Sequence, residues 1–134
     1  MRWEEKTPVY GDIIRTKVQF YHHYGIFVSE DQVIQFGLPD GPMRPAEQIR
    51  VLSSDIAAFL QGGEVEVAVP DMGERKRMRS PKQIVQIAES RIGEGGYDIL
   101  HNNCEHFVND CVFGEATSTF LQDVRENLRK KLGK

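Results

Sequence analysis

The stretch NNCEHFVND, residues 102–110, decides the fold and contains one of the two cysteines in the chain. Asparagine is a favoured N-cap residue, so a helix is predicted to begin at Cys104 and to end near Gly114. The dipole and free backbone N–H groups of a helix N-terminus favour a thiolate, and the same groups stabilise an oxyanion. Cys104 is therefore a candidate nucleophile, and Asn103 beside it is a candidate oxyanion-site residue.

A cysteine nucleophile needs a histidine that takes and returns its proton, and the chain has four histidines. His106 lies two residues after Cys104, about 200° around the helix, which predicts a structural hydrogen-bonding role. His101 precedes the helix in a loop that positions it poorly for this task. His22 and His23 alternate across a predicted strand, so at most one of them faces the cysteine helix.

Strands come first along the chain and helices later, which predicts an α+β fold with an antiparallel sheet packed against helices. Strands are predicted at 12–16, 22–29, 32–37, 49–52 and 64–69, and further helices at 55–60, 81–92 and 118–132. Residues 29–31 are predicted to join the second and third strands as a three-residue hairpin loop. Such an odd-length loop, or a bulge, pairs Gly25 with Gln35 and puts Gln35 on the face of His23.

The chain has 134 residues and a net charge of −3, which indicates a single domain and argues against nucleic-acid binding. Its longest apolar runs have five residues, far short of the about 20 that a membrane-spanning helix needs. No secretory signal is recognisable at the N-terminus. Cys104 and Cys111 lie about 10 Å apart along one helix, too far for a disulfide. Free thiols in a cytoplasmic protein are the expectation.

Two segments, residues 73–82 and 125–134, each carry a net charge of +4, which leaves −11 on the rest of the chain. One interpretation is that both are solvated basic stretches. The other is transient contact with an anionic surface such as phospholipid headgroups, which makes the protein peripheral at a membrane.

Several motifs together resemble the lecithin:retinol acyltransferase-like family. They are GDII at 11–14, HHYGIFV at 22–28, VIQF at 33–36 and NCEHFVN at 103–109. The resemblance covers about residues 10–115 of a single domain spanning 1–134. It implies a circularly permuted papain-like (NlpC/LRAT-like) fold, in which the histidine strand precedes the cysteine helix. It also implies Cys104 as nucleophile, His23 as base, and no metal or organic cofactor.

One position departs from the family pattern, because Gln35 occupies the place where the family usually has a second histidine. A third polar group orients a base histidine through its other ring nitrogen. A glutamine oxygen accepts that hydrogen bond, although it carries no charge. The predicted site is thus Cys104, His23 and Gln35, with Asn103 at the oxyanion site. Tyr21 either lines the oxyanion site or only packs against it.

The resemblance implies a thiol-dependent lipid acyltransferase or phospholipase that works through a thioester on Cys104, with a glycerophospholipid as the acyl donor. A permuted papain-like cysteine peptidase or isopeptidase would use the same site on an amide bond. Because Gln35 replaces a histidine, a binding module without catalysis remains a third interpretation.

Overall fold

A six-stranded antiparallel sheet and four α-helices make up the described part of the chain, which confirms the α+β prediction. The computed structural model describes residues 1–19, 21–39, 44–99 and 102–114. The strands are β1 Arg2–Glu4, β2 Ile13–Val18, β3 Tyr21–Ser29, β4 Gln32–Phe36, β5 Val51–Ser54 and β6 Glu66–Val69, in the sheet order β1-β6-β2-β3-β4-β5. The helices are α1 Ile56–Leu60, α2 Met72–Arg77, α3 Pro81–Ser90 and α4 Cys104–Phe113. The predicted helix at 118–132 and the basic segment 125–134 lie outside the described residues.

Both faces of the sheet are covered, and β3 separates them by the alternation of its side chains. Ile26 lies in the larger core with Phe107 and Val108 of α4, a side that we call the α4 face. Phe27 lies in a smaller cluster with Phe59 of α1, on the side that we call the α1 face. Every position of β3 is thereby assigned to one of two environments, which fixes where its histidines point.

The β3–β4 hairpin keeps the predicted register by a different route. Its turn has two residues, since Ser29 pairs with Gln32, so the predicted three-residue loop is wrong. A bulge between Phe27 and Ser29 supplies the extra residue. Gly25 consequently pairs with Gln35 as predicted, and Gln35 stays on the face of His23.

The differences from the sequence expectation include strand boundaries and two elements that were not predicted, β1 and α2. β5 begins at Val51, because Ile49 instead ends a short 3-10 helix at Ala46–Gln48. β1 was not predicted, and it joins the sheet by pairing with β6. The unpredicted helix α2 has no buried apolar stripe. Its start is marked by a capping box formed by Asp71 and Glu74.

The two long helices begin where their capping residues predict. Ser80 caps α3, with Pro81 at the first helical position, and Asn103 caps α4. Gly114 ends α4 in the left-handed conformation, at φ 74°. The start of α4 is the local feature that places the candidate nucleophile.

The basic segment 73–82 has both internal and exposed cations. Arg79 donates to the carbonyls of Asp110 and Cys111, at the negative end of the α4 dipole. Arg75 and Lys76 are exposed at the end of α2. None of the helices in the described ranges is long and apolar enough to cross a bilayer.

The close approach of α1 to β3 at Gly25 is testable. A Cβ atom there would lie 2.7 Å from Phe59 Cε1 and 3.0 Å from Val33 Cγ1, so side chains must shift. We expect Gly25→Ala to lower the free energy of unfolding by about 1–3 kcal/mol, measured by urea denaturation.

Gly73→Ala is the matched control, because a Cβ atom there meets its nearest neighbour at 3.4 Å within α2. This change should leave stability unaltered or raise it by up to about 1 kcal/mol. Equal stability of the Gly25→Ala variant and the wild type would contradict the packing described here.

Candidate active site

Cys104 is held at the first position of α4 by a reciprocal capping arrangement. Asn103 Oδ1 accepts from the backbone N–H groups of Glu105 and His106, at 3.0 and 3.1 Å. His106 Nδ1 accepts from the backbone N–H of Asn103 at 3.1 Å. His106 thus fills the place that glutamate or glutamine has in a capping box, which confirms its predicted structural role.

The thiol of Cys104 is buried, with 7% of the residue exposed. Burial is the largest influence on its pKa and raises it to about 11. The backbone N–H groups of Tyr24, Cys104 and Glu105 act on the sulfur in the opposite direction and lower the pKa, but less strongly. The expected thiolate at the helix N-terminus is therefore not the resting state, because desolvation outweighs the helix.

The sulfur meets the sheet where β3 parts from β4. Phe27 directs its N–H and C=O towards β2, bonding Asp12 and Gly11. By the alternation of an antiparallel strand, the Tyr24 N–H points to the opposite side, towards β4. Followed away from the hairpin turn, the β3–β4 pairing ends at Gly25 and Gln35, and Tyr24 is the next residue along β3. We call this opening, where the Tyr24 N–H faces the sulfur, the strand gap.

His23 and Gln35 come together on the α1 face beside the strand gap. His23 is 2% exposed and its ring lies 5.3 Å from the ring of Phe59, between centroids. His23 Nε2 lies 2.8 Å from Gln35 Oε1, and Gln35 is fully buried. Cys104 approaches from the α4 face, so the thiol and the paired side chains reach the sheet from opposite faces, at neighbouring residues of β3.

His22 is the histidine of β3 on the α4 face, where its Nε2 lies 3.8 Å from Glu66. Burial is the main cause that lowers its pKa, and Arg15 adds to this effect. His101 lies outside the described residues.

Ser54 extends the polar chain and was not found from the sequence. Gln35 Nε2 donates to Ser54 Oγ at 2.6 Å, and Ser54 Oγ donates to the carbonyl of Asp55 at 2.9 Å. In the sequence, Ser54 is one of two adjacent serines before a helix cap. Only the β4–β5 register, which pairs Val33 with Ser54, puts its side chain on the same face as Gln35.

Comparison with known proteins identifies the family of the chain. A family model described as lecithin retinol acyltransferase matches residues 6–117. The chain belongs to this family.

Individual relatives in the lecithin retinol acyltransferase family have moderate identity to the chain. Human phospholipase A and acyltransferase 3 is 31% identical over 134 residues, covering 92% of this chain and 82% of the relative. Bovine lecithin retinol acyltransferase is 27% identical over 139 residues, covering 89% and 60%. Rat phospholipase A and acyltransferase 1 is 29% identical over 119 residues, covering 83% and 71%. The chain therefore spans about 60% of the length of the bovine protein.

In this member of the lecithin retinol acyltransferase family, Tyr21 and Asn103 are both engaged within the protein. The Tyr21 hydroxyl donates to the carbonyl of Pro39. Asn103 Nδ2 donates to the carbonyl of Ile99 at 2.8 Å, while its Oδ1 caps α4. An oxyanion role for the Asn103 amide would require that bond to break, whereas backbone N–H groups already face the sulfur.

Tyr97 is a neighbour of the thiol that the sequence did not indicate. Burial raises its pKa, and the charges of Cys104 and Tyr21 add to that effect. Its ring also packs edge-on against Phe36, with centroids 5.2 Å apart. Tyr97 is therefore close enough to Tyr21 and Cys104 for their charges to act on its hydroxyl.

Both cysteines are free thiols, as predicted. Within the parts of the chain that the structure describes, no group of three or more His, Cys, Asp or Glu side chains is placed to hold a metal ion.

The protonation state of Cys104 gives a direct test of the balance between burial and the helix N-terminus. Because burial raises the pKa of this thiol to about 11, we expect it to stay protonated at pH 7–8 and to titrate only near pH 11. The measurement is the ¹³Cβ chemical shift of Cys104 in protein labelled at cysteine, with the second signal assigned through Cys111→Ala.

A Cys104 signal that already has the thiolate shift at pH 7 would contradict this balance. It would mean that the helix N-terminus outweighs burial at this site.

Proposed function

We propose that this chain is a thiol-dependent acyltransferase or phospholipase that acts on glycerophospholipid esters through a thioester on Cys104. The observation that carries the proposal is the buried pair of His23 and Gln35 beside the strand gap, into which Cys104 directs its sulfur. Family membership supports acyltransferase and phospholipase-type chemistry in general. The donor, the thioester and the residue roles are the proposal.

The proposed reaction begins when Nδ1 of His23 takes the proton of the Cys104 thiol in the same step as the attack. The sulfur attacks the ester carbonyl carbon, and the backbone N–H groups of Tyr24 and Cys104 stabilise the negative charge that develops on the carbonyl oxygen. His23 then gives its proton to the leaving alcohol, and a thioester forms on Cys104. Water or an amine next takes the acyl group and releases the enzyme.

The raised pKa of Cys104 decides how His23 works in this scheme. A thiol with a pKa of about 11 is protonated at neutral pH, so no standing thiolate–imidazolium pair is available. His23 therefore acts as a general base during the attack itself. Gln35 fits this role, because it orients the imidazole by accepting one hydrogen bond and adds no charge.

The order of the parts along the chain supports a permuted papain-like arrangement. β3, which carries His23 and is a central strand of the antiparallel sheet, precedes α4, which carries Cys104. This order is the one that the resemblance implies, and we include the permuted fold in the proposal.

Contact with an anionic lipid surface is a further part of the proposal. Arg75 and Lys76 are exposed at the end of α2. Met72, on the same helix, is 76% exposed. Exposed cations beside an exposed apolar side chain suit brief contact with phospholipid headgroups.

A binding module without catalysis is the second candidate. Two observations favour it: the Cys104 thiol has a pKa raised to about 11, and the partner of His23 is an uncharged glutamine. The mass measurement described next separates the two candidates.

The test is the intact mass of the acid-quenched protein after incubation with vesicles of mixed-chain phosphatidylcholine. We expect an acyl-sized mass gain on the wild type, because the thioester forms on Cys104. Cys104→Ala should show no gain. Cys111→Ala should keep the gain, because Cys111 is buried within α4 and outside the proposed site.

Three other outcomes would contradict the lipid proposal. No gain together with rapid alkylation of Cys104 by iodoacetamide would favour a peptidase or isopeptidase. No gain and no alkylation would leave the binding module. A gain that persists in Cys104→Ala would place the acyl group elsewhere.

A further inference from the structure

Ser54 is the residue at the far end of the polar chain that starts at His23. We infer that Ser54 is a positioning residue, which selects Nδ1 of His23 as the basic nitrogen by fixing the orientation of the Gln35 amide. This inference rests on the proposed function for its catalytic meaning, although the state of the imidazole is measurable without any substrate.

The donor and acceptor in each hydrogen bond of this polar chain follow from its last acceptor, which is a backbone carbonyl. The carbonyl of Asp55 has no hydrogen to give, so Ser54 Oγ must donate to it, at 2.9 Å. A hydroxyl has one hydrogen, so Ser54 Oγ can only accept from Gln35, at 2.6 Å. The atom of Gln35 beside Ser54 is therefore the amide nitrogen, and Oε1 is the atom that meets His23.

The same logic fixes the histidine tautomer. Gln35 Oε1 only accepts, so Nε2 of His23 must carry the hydrogen of the 2.8 Å contact. In the neutral ring, Nδ1 then has the lone pair. Nδ1 is also the ring nitrogen closer to the backbone of β3.

The reversed orientation of the amide is disfavoured because it makes one hydrogen bond fewer. It would put Gln35 Oε1 against Ser54, which would then need two hydrogens, one for Oε1 and one for the Asp55 carbonyl. The acceptor left over would be the Asp55 carbonyl, which belongs to an exposed residue and also accepts from the Phe59 N–H at 3.2 Å, so the reversed orientation loses only the bond from Ser54. One net hydrogen bond, a preference of about fivefold, therefore favours the orientation that turns Oε1 towards His23.

Glutamine makes Ser54 necessary in a way that a carboxylate would not. A carboxylate presents an oxygen to the imidazole in either orientation, whereas an amide presents oxygen or nitrogen. The site therefore needs a second group that distinguishes the oxygen from the nitrogen of the Gln35 amide. Ser54 is the group that contacts this amide.

The test is the tautomer of His23 in ¹⁵N-histidine-labelled protein, read from long-range ¹H–¹⁵N correlation spectra at a pH where the ring is neutral. The wild type should show hydrogen on Nε2 and a lone pair on Nδ1. Ser54→Val should show a mixture of tautomers. Ser54→Thr has the same shape as valine but keeps the hydroxyl, so it should retain the wild-type pattern.

Two further variants keep the result specific. Ser54→Ala repeats the loss of the hydroxyl without the branched side chain. Ser53 is the neighbouring exposed serine, and it pairs with Ile34 in the strand register, so its side chain lies on the other face. Ser53→Ala should leave the His23 tautomer unchanged. The His23 signals are assigned by their absence from the His23→Ala spectrum.

A kinetic readout distinguishes positioning from a structural role. Ser54→Val should lower kcat for acylation about fivefold, the factor set by one neutral hydrogen bond, and should leave KM unchanged. Ser54→Thr should restore kcat.

Hydrogen on Nδ1 in the wild type would overturn the inference, as would an unchanged tautomer in both Ser54→Val and Ser54→Ala. A wild-type protein that shows the expected tautomer but forms no thioester would instead overturn the proposed function. The two failures are therefore distinguishable.

Discussion

The hydrogen bond between His23 Nε2 and Gln35 Oε1, 2.8 Å long and buried, is the interaction on which the site depends. It joins β3 to β4 diagonally and exists only in one register. The bulge between Phe27 and Ser29 sets that register. A shift of one residue would turn Gln35 to the α4 face and leave His23 unsupported. The geometry of the two-residue turn is thus coupled to chemistry at His23, seven residues before the turn, and at Gln35, four residues after it.

Burial and helix electrostatics compete at the thiol, and burial prevails. The N-terminus of α4 and the open N–H of Tyr24 both favour a negative sulfur, yet the enclosed environment raises the pKa of Cys104 to about 11. The same N–H groups serve better in the transition state, where charge moves onto the substrate oxygen. A thiol whose pKa is raised to about 11, with a glutamine instead of a charged residue bonded to His23, is consistent with a site in which charge separates only during reaction.

Local signals in the sequence were sufficient for the parts of the site that neighbouring residues determine. Asn103 before Cys104 predicted the start of α4, and the expected odd-length loop or bulge in the hairpin predicted that His23 and Gln35 share a face. Properties that depend on packing were not accessible. Ser54 became visible only through the β4–β5 register, and the raised pKa of Cys104 follows from burial by distant elements. Likewise α2, which lacks an apolar stripe, begins at a capping box.

The central claim is that Gln35 acts on Cys104 only through His23. A double-mutant cycle on the rate of thioester formation, with His23→Ala, Gln35→Met and the combined variant, tests it most directly. We predict that Gln35→Met slows the reaction in the wild-type background and has no further effect once His23 is absent. Losses that multiply independently in the combined variant would contradict the account, because Gln35 would then act on the reaction by a separate route.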